Sequence, residues 1–416
     1  MSLKARPRYL DRLLTAKGDG LIKVITGMRR CGKSSLLALL KHHLTEYDGI
    51  PADHVIMANL ESFRYNGFDE TDLYRHITES IRDDDTHYLL LDEIQLVRHW
   101  EKAVNALRVD RNVDIYLTGS NAHLLSSQLA TLLTGRYAEI GMFPLSFSEF
   151  LDYTGETDRM RAFERYTRYG GLPPVADQGT DQNLAHTVLS GIYDTVLVRD
   201  IAQYLQIRNP LVFNDIARYL ADTAGSPVSI TKIEHRLKSG HRPTANETIE
   251  RYISGLLDAF MFYRAQRINV KGGDYLQGLA KYYPADLGIR NMLLGYPAGD
   301  FGFLLENVVH NELKTRGYTV QVGRMDNLEI DFVATRVCDD LTRERLFVQV
   351  SASVMDTATR KRELEPLRRL PAAEEGRRMV LTLDSFGLGE AEGVDIVNAL
   401  DWLVDAEDRA QRCDAA

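Results

Sequence analysis

Cysteine is scarce: Cys31, Cys338 and Cys413 are the only three, and their spacing fits neither a disulfide framework nor a zinc site. No apolar run approaches the roughly 20 residues that a membrane-crossing helix needs. Met1–Arg8 is polar and basic with no apolar stretch behind it, so no secretory signal is expected. These absences point to a cytoplasmic protein with no membrane association. Basic charge is not in excess either. The formal net charge is -9, which excludes a general coat for nucleic acid but leaves room for a local basic patch. Internal repeats and low-complexity tracts are absent as well. What is present is an ordinary globular composition, 44% hydrophobic and 26% charged, spread over 416 residues. A chain of that length exceeds one typical core and should hold two or three domains.

LIKVITG (21–27), HVIMANL (54–60), HYLLLDE (87–93) and VDIYLTGS (113–120) are short apolar runs with few charges, separated by helical segments. Strands buried on both faces have this character, so the first part reads as a parallel α/β sheet. GMRRCGKSS (27–35) follows the first of these strands, and the helix-like KSSLLALLKHHL follows it. The spacing is that of a phosphate-binding P-loop. Gly27 and Gly32 let successive amides turn inward, Lys33 brings a positive charge to the outer phosphates, and Ser34 offers a hydroxyl to Mg²⁺. Asp92, at the end of a later strand in LLLDEIQ (89–95), is positioned to hold the Mg²⁺ through water. Glu93 beside it suits the base that activates the attacking water.

The expected nucleotide site therefore comprises Gly27, Arg29, Arg30, Cys31, Gly32, Lys33, Ser34 and Ser35, together with Asn121 at the end of the next strand. Lys33 and Glu93 are the expected catalytic residues, Ser34 and Asp92 the metal residues, and ATP with Mg²⁺ the cofactors. Ser120 and Asn121 read equally as γ-phosphate contacts or as a strand-end cap. Asn59 reads either as a structural asparagine or as a clamp on Glu93. Arg136 is a solvent-facing arginine or a phosphate contact, acting within one subunit or across an oligomer interface.

VITGMRRCGKSSLL, HYLLLDEIQ, YLTGSNAHLL and TGRYAEIGMFPLSFSEF together resemble a large prokaryotic family of AAA-type ATPases with a C-terminal domain of unknown function. GGLPPV, LVRDI, KYYPADLGIRN and FLLENVVHNEL extend the resemblance over nearly the whole chain. The resemblance implies ATP binding and hydrolysis, and it names no substrate. The expected layout is a P-loop ATPase domain over 1–155, a helical linker over 156–205, a winged-helix-like domain over 206–285 and an α/β domain over 286–416.

In the third segment, Ile249, Ile253, Leu256 and Leu257 form the buried stripe of a helix whose exposed side carries Glu247, Glu250 and Arg251. Lys232, Arg236, Lys238 and Arg242 lie upstream. DNA and a protein are both carried as partners, because acidic residues on that helix oppose docking to DNA. In the last segment, Glu306, Asp331 and positions 349 and 351 fall in the order of the PD-(D/E)xK nuclease fold, which the segment resembles. Gln349 and Ser351 stand where that resemblance implies an acid and a lysine, so a nuclease-like domain without nuclease activity is expected. Glu329 shares the strand face of Asp331. It is read as an exposed strand residue, with a weak metal site formed with Glu306 as the alternative. Arg360, Lys361, Arg362, Arg368 and Arg369 read as a solvated helix face with internal ion pairs.

Overall fold

The computed structural model describes residues 4–119, 133, 135–179, 181–196, 201, 205, 207, 209–270, 275–297, 301–338, 340–371 and 373–405. Ser120, Asn121 and Cys413 lie outside the described residues. The chain forms two compact units: Met1–Pro144 with two short later stretches, Thr195–Ile201 and Asp258–Phe260, and a second made of the rest. Among the described residues, no helix is long and apolar enough to cross a membrane.

In the first unit, β1 (Ile22–Thr26), β2 (Val55–Asn59), β3 (His87–Asp92), β4 (Val113–Thr118) and β5 (Tyr137–Gly141) form one sheet in the order β2-β3-β4-β1-β5. Every pairing is parallel. The helices are α1 (Pro7–Thr15), α2 (Lys33–Glu46), α3 (Glu70–Ser80) and α4 (Trp100–Asp110). β1 and β3 are buried at every position, as expected of strands covered on both faces. Leu89, Leu91, Ile115 and Leu117 pack with Leu73, Ile77, Val104 and Leu107 from the helices into one apolar core. A capping box between Asp69 and Asp72 fixes the start of α3.

One polar network breaks the apolar pattern. Lys23, fully buried in β1, bonds Asp114 of β4 at 2.6 Å, and Tyr116 Oη donates to the same carboxylate at 2.9 Å. The Gly18 amide adds a third bond at 3.0 Å.

The second unit begins with α5 (Phe147–Thr154), α6 (Arg159–Tyr169) and α7 (Gln182–Thr195). Next come α8 (Pro210–Asp222), β6 (Pro227–Val228), α9 (Ile230–Ser239) and α10 (Asn246–Asp258), then the ribbon β7 (Phe262–Asn269) and β8 (Tyr275–Pro284). After α11 (Leu287–Leu294) and α12 (Phe301–Thr315) come β9 (Thr319–Met325), β10 (Leu328–Val337) and β11 (Arg343–Ser351). α13 (Thr357–Arg368), β12 (Arg377–Thr382), β13 (Gly389–Ala391), β14 (Val394–Asn398) and α14 (Ala399–Val404) complete it.

Nine strands make one sheet, β13-β14-β12-β11-β10-β9-β7-β8-β6. The ribbon expected to close the 206–285 segment is thus hydrogen-bonded, through β7 and β9, to the strands of the next segment. That pairing covers an edge which an isolated ribbon would leave open. On α10, Ile249, Ile253 and Leu256 are buried while Glu247, Glu250 and Arg251 are exposed. Leu257 is only half-buried.

Candidate nucleotide site and a paired carboxylate cluster

β1 delivers the chain to the loop 27–32, and α2 starts at Lys33. Gly27 has φ 145° and Gly32 φ 111°, values that favour glycine. A Cβ on Gly27 would lie 2.1 Å from the Met142 carbonyl oxygen, so this position is closed to any other residue. The loop is braced from outside the motif. Arg6 Nη1 donates to the Cys31 carbonyl at 3.0 Å and Nη2 to the Phe143 carbonyl at 3.2 Å. Tyr9 Oη accepts the Phe143 amide at 3.2 Å. Lys33 is buried, and its Nζ donates to the carbonyls of Gly27 (2.8 Å) and Met28 (3.0 Å).

Because β4 lies between β1 and β3, the C-terminal ends of all three strands meet beside the loop. Ligands of open α/β sheets bind at such strand ends. Asp92 is 1% exposed, and the Ser34 hydroxyl lies near enough to favour its charged form. Thr118 Oγ1 donates to Asp92 Oδ1 and also accepts the Glu93 amide, at 3.0 Å. Burial pushes the Asp92 carboxyl above its usual range and Glu93 adds to this, while Thr118, Ser34 and Lys33 pull it back. Glu93 has φ 56°, a turn that departs from the strand direction, and it is half-buried. Gln95 Nε2 donates to Glu93 Oε2.

The remaining expected residues scatter. Arg29 pairs with Glu61 at 3.2 Å, and Arg30 and Ser35 are exposed. Cys31 is buried, with Sγ 3.5 Å from the Met142 carbonyl. Asn59 Oδ1 accepts the Glu61 amide at 2.9 Å, and Gln95 is a side chain that donates to Glu93. Arg136 is exposed, and its carbonyl accepts the Ile22 amide. Sequence reasoning missed Arg6, Thr118 and Gln95. Thr118 was within reach, as the last strand residue of VDIYLTGS, whereas nothing local marks Arg6.

The second unit gathers Glu306, Glu329 and Asp331 around Lys281 of β8. Lys281 Nζ lies 3.3 Å from Glu306 and 3.0 Å from Glu329, and Arg267 reaches Glu329 at 3.2 Å. Tyr283 Oη donates to Glu306 at 2.7 Å. Glu329 is therefore a half-buried ion-pair partner; the exposed role expected from alternation gives way to cations brought in by β7 and β8. Burial alone would lower the Lys281 ammonium, but the charges of Glu306, Asp331 and Glu329 outweigh it and hold it up. Asp331 is pushed up to about 8, by burial first and by Glu306 next.

Gln349 Oε1 accepts the Asp331 amide at 2.7 Å, and its Nε2 donates to Glu363 at 3.0 Å. Glu363, missed in the sequence, is paired with Arg362 at 2.7 Å. Ser351 Oγ donates to the Ser353 carbonyl. Two carboxylates thus face two cations, a third is paired with Arg362, and Asp331 Oδ2 accepts the Val350 amide at 2.9 Å.

An AAA domain model matches residues 19–151, and a domain of unknown function (DUF8612) matches residues 160–300. An uncharacterized protein of Haemophilus influenzae is 38% identical over 406 residues, 96% of this chain and 98% of that one. An uncharacterized protein of Methanocaldococcus jannaschii is 29% identical over 330 residues, 75% of this chain and 71% of that one. A solved structure, a Walker-type ATPase of Pyrococcus abyssi, is similar at 15% identity over 70% of this chain and 95% of that chain, with a TM-score of 0.49. With a relative this similar over nearly its whole length, the chain belongs to the same family as the uncharacterized Haemophilus influenzae protein, and its N-terminal part is an AAA domain.

Proposed function

We propose that the chain is a Mg²⁺-dependent ATPase whose nucleotide state acts on the second unit. The carrying observation is the convergence at one sheet end of a glycine cradle closed to any side chain, a buried lysine, and Asp92 and Glu93 joined through Thr118. These groups fit the cofactor: the Ser34 hydroxyl and the buried Asp92 carboxylate lie near each other and would hold the metal between them. Bound Mg²⁺ would supply charge to polarise the terminal phosphate. Lys33 would bind the outer phosphates, and amides of 27–33 would orient them. Thr118 fixes the Asp92 and Glu93 geometry, and Glu93 would accept the proton of the attacking water.

Steady-state phosphate release, measured with calorimetric binding of Mg²⁺ and ATP, tests this. Lys33→Ala is expected to abolish both, and Glu93→Gln to abolish release while retaining binding. Full binding and turnover in Lys33→Ala would refute the assignment.

The bond from Gln95 to Glu93 supports a second reading, a nucleotide-gated binding module with negligible turnover. Tight retention of unhydrolysed ATP by the native protein would favour it.

For the second unit we infer a winged-helix-like element at α8–β8 and a nuclease-like domain that does not cut. Supporting the first is the order of two short helices, a longer amphipathic helix and a ribbon. Arg242 pairs with Asp215 and Arg236 with Asp222, while Glu247 and Glu250 stay exposed on α10, an acidic face that favours a protein partner over DNA. Supporting the second is the charge matching around Lys281, which leaves no uncompensated carboxylate pair for a divalent ion.

A further inference from the structure

The strand that ends at Asp92 begins at His87, and a second group of ligating side chains gathers there. β2 and β3 are parallel neighbours with Val55 opposite Tyr88, so the residues just before them, His54 and His87, are brought side by side. Their rings stack with centroids 4.5 Å apart. Asp83, in the connection between α3 and β3, places Oδ2 3.2 Å from His54 Nε2. One ligating atom from each of the three lies within 4.8 Å of the others. Ligands of a tetrahedral zinc ion, with bonds of about 2.0–2.1 Å, stand roughly 3.3 Å apart. The His54–Asp83 edge already has that length. His54 and Asp83 both reach solvent, with side chains 14% and 48% exposed, so they can turn to close the other edges.

Asp85 prepares the other two residues. Its amide donates to Asp83 Oδ1 at 3.1 Å, which leaves Oδ2 directed at His54. Its carbonyl lies 2.9 Å from His87 Nδ1. A carbonyl only accepts, so Nδ1 carries the proton and Nε2 keeps its lone pair. Metal-ligating histidines are set in this way, by a carbonyl on the ring nitrogen that does not bind the ion. Asn112 anchors the connection, donating to the Asp84 carbonyl at 3.2 Å and accepting the His87 amide at 3.0 Å.

We propose that His54, Asp83 and His87 bind a divalent transition-metal ion of the zinc class, with a fourth position open to solvent. Two imidazoles and one carboxylate suit such an ion, whereas Mg²⁺ and Ca²⁺ take oxygen ligands. The site ties the 83–87 connection to β2, the edge strand of the sheet. It lies about 17 Å along β3 from Asp92, at the far end from the P-loop.

The test uses tag-free, full-length, chelator-stripped protein without nucleotide. It is titrated with ZnCl₂ in a calorimeter, and zinc content is measured after desalting. The expected result is one ion per chain with micromolar affinity or tighter and a higher melting temperature. His54→Ala and Asp83→Ala should each weaken binding at least about tenfold. Both residues reach solvent, and retained binding of a fluorescent ATP analogue would show that the variants are folded. No uptake by the native protein, or uptake that survives in the His54→Ala/Asp83→Ala double variant, overturns the proposal.

Discussion

Gln95 Nε2 donates to Glu93 Oε2, while Gln95 Oε1, buried on the other side of the same amide, has no hydrogen-bond partner among the described residues. The amide is thus satisfied at one end only, and its contact with Glu93 occupies an oxygen that a water-activating base needs. A hydrogen bond to a charged group contributes about 1.5–3 kcal/mol, and about 1.4 kcal/mol corresponds to tenfold in rate. Gln95→Ala is expected to raise the rate of phosphate release by about tenfold or more. ATP affinity should not change. Single-turnover phosphate release with calorimetric binding checks both halves of that expectation, and slower release would show that Gln95 assists Glu93.

Gly27 admits no side chain. Alanine there would meet the Met142 carbonyl and would have to hold φ near 145°. Gly27→Ala should destabilise the first unit by about 2–3 kcal/mol through backbone strain and displacement of β5. It should also remove ATP binding, because the loop amides would turn. Chemical denaturation and nucleotide titration report the two effects separately.

The candidate nucleotide site could be proposed from the sequence because its parts are contiguous there. Gly27, Gly32, Lys33 and Ser34 come from one stretch, and Asp92 with Glu93 from one strand end. The local pattern of strand, glycine turn and helix is enough to propose them, and the structure has that strand, turn and helix. Arg6 was not legible as a site residue, since its role comes from where α1 packs, and Thr118, though marked as a strand end, gains its partners only from where the sheet order places β4. The cluster in the second unit shows the same limit. Alternation placed Glu329 and Asp331 on one face correctly, but Lys281 and Arg267 come from strands assigned to another segment. Only the nine-stranded sheet brings them together.

Asp114 meets three donors: Lys23 Nζ, the Tyr116 hydroxyl and the Gly18 amide. Removing one partner of a buried ion pair leaves the other charge without compensation and costs about 3–5 kcal/mol. Asp114→Ala is expected to cost less than that, about 2–3 kcal/mol, because Asp19 Oδ1 still lies 2.8 Å from Lys23 Nζ. Lys23→Met with Asp114→Leu should be much milder, because both charges leave together. Urea denaturation of the two variants measures the difference.

Lys281 holds Glu306 and Glu329 together, so Lys281→Met should change what the cluster binds. In the native protein without nucleotide, Mn²⁺ is expected to produce no calorimetric signal from these residues, and no DNA cutting should follow. In Lys281→Met, Glu306 loses its cation while Glu329 keeps Arg267, and the cluster should gain weak Mn²⁺ binding at a cost of about 3–5 kcal/mol in stability. Mn²⁺-dependent cutting by the native chain that disappears in Asp331→Ala would instead show that the cluster is a working site.

His310, buried on α12, stacks on Tyr283 with centroids 4.1 Å apart, and burial lowers its imidazole to about 3. An unfolded histidine titrates near 6.5, so the folded state takes up its proton less readily. Stability from this group is full above about pH 6.5 and is lost as pH falls from there toward 3. Asp286 and Asp331, raised to about 6 and about 8, work in the opposite direction. Their contributions are full below the unfolded carboxylate range near 3.9 and are lost as pH rises through the folded values. The net profile therefore hides each term, and a difference measurement isolates the histidine. His310→Phe keeps a ring on Tyr283 and removes the proton site. The stability of the native protein minus that of His310→Phe should be flat above pH 7. Between pH 6 and 4.5 it should fall by about 1.4 kcal/mol per pH unit. Urea denaturation at half-unit steps resolves that slope, and a difference that stays constant to pH 4.5 would mean that His310 is charged in the folded protein.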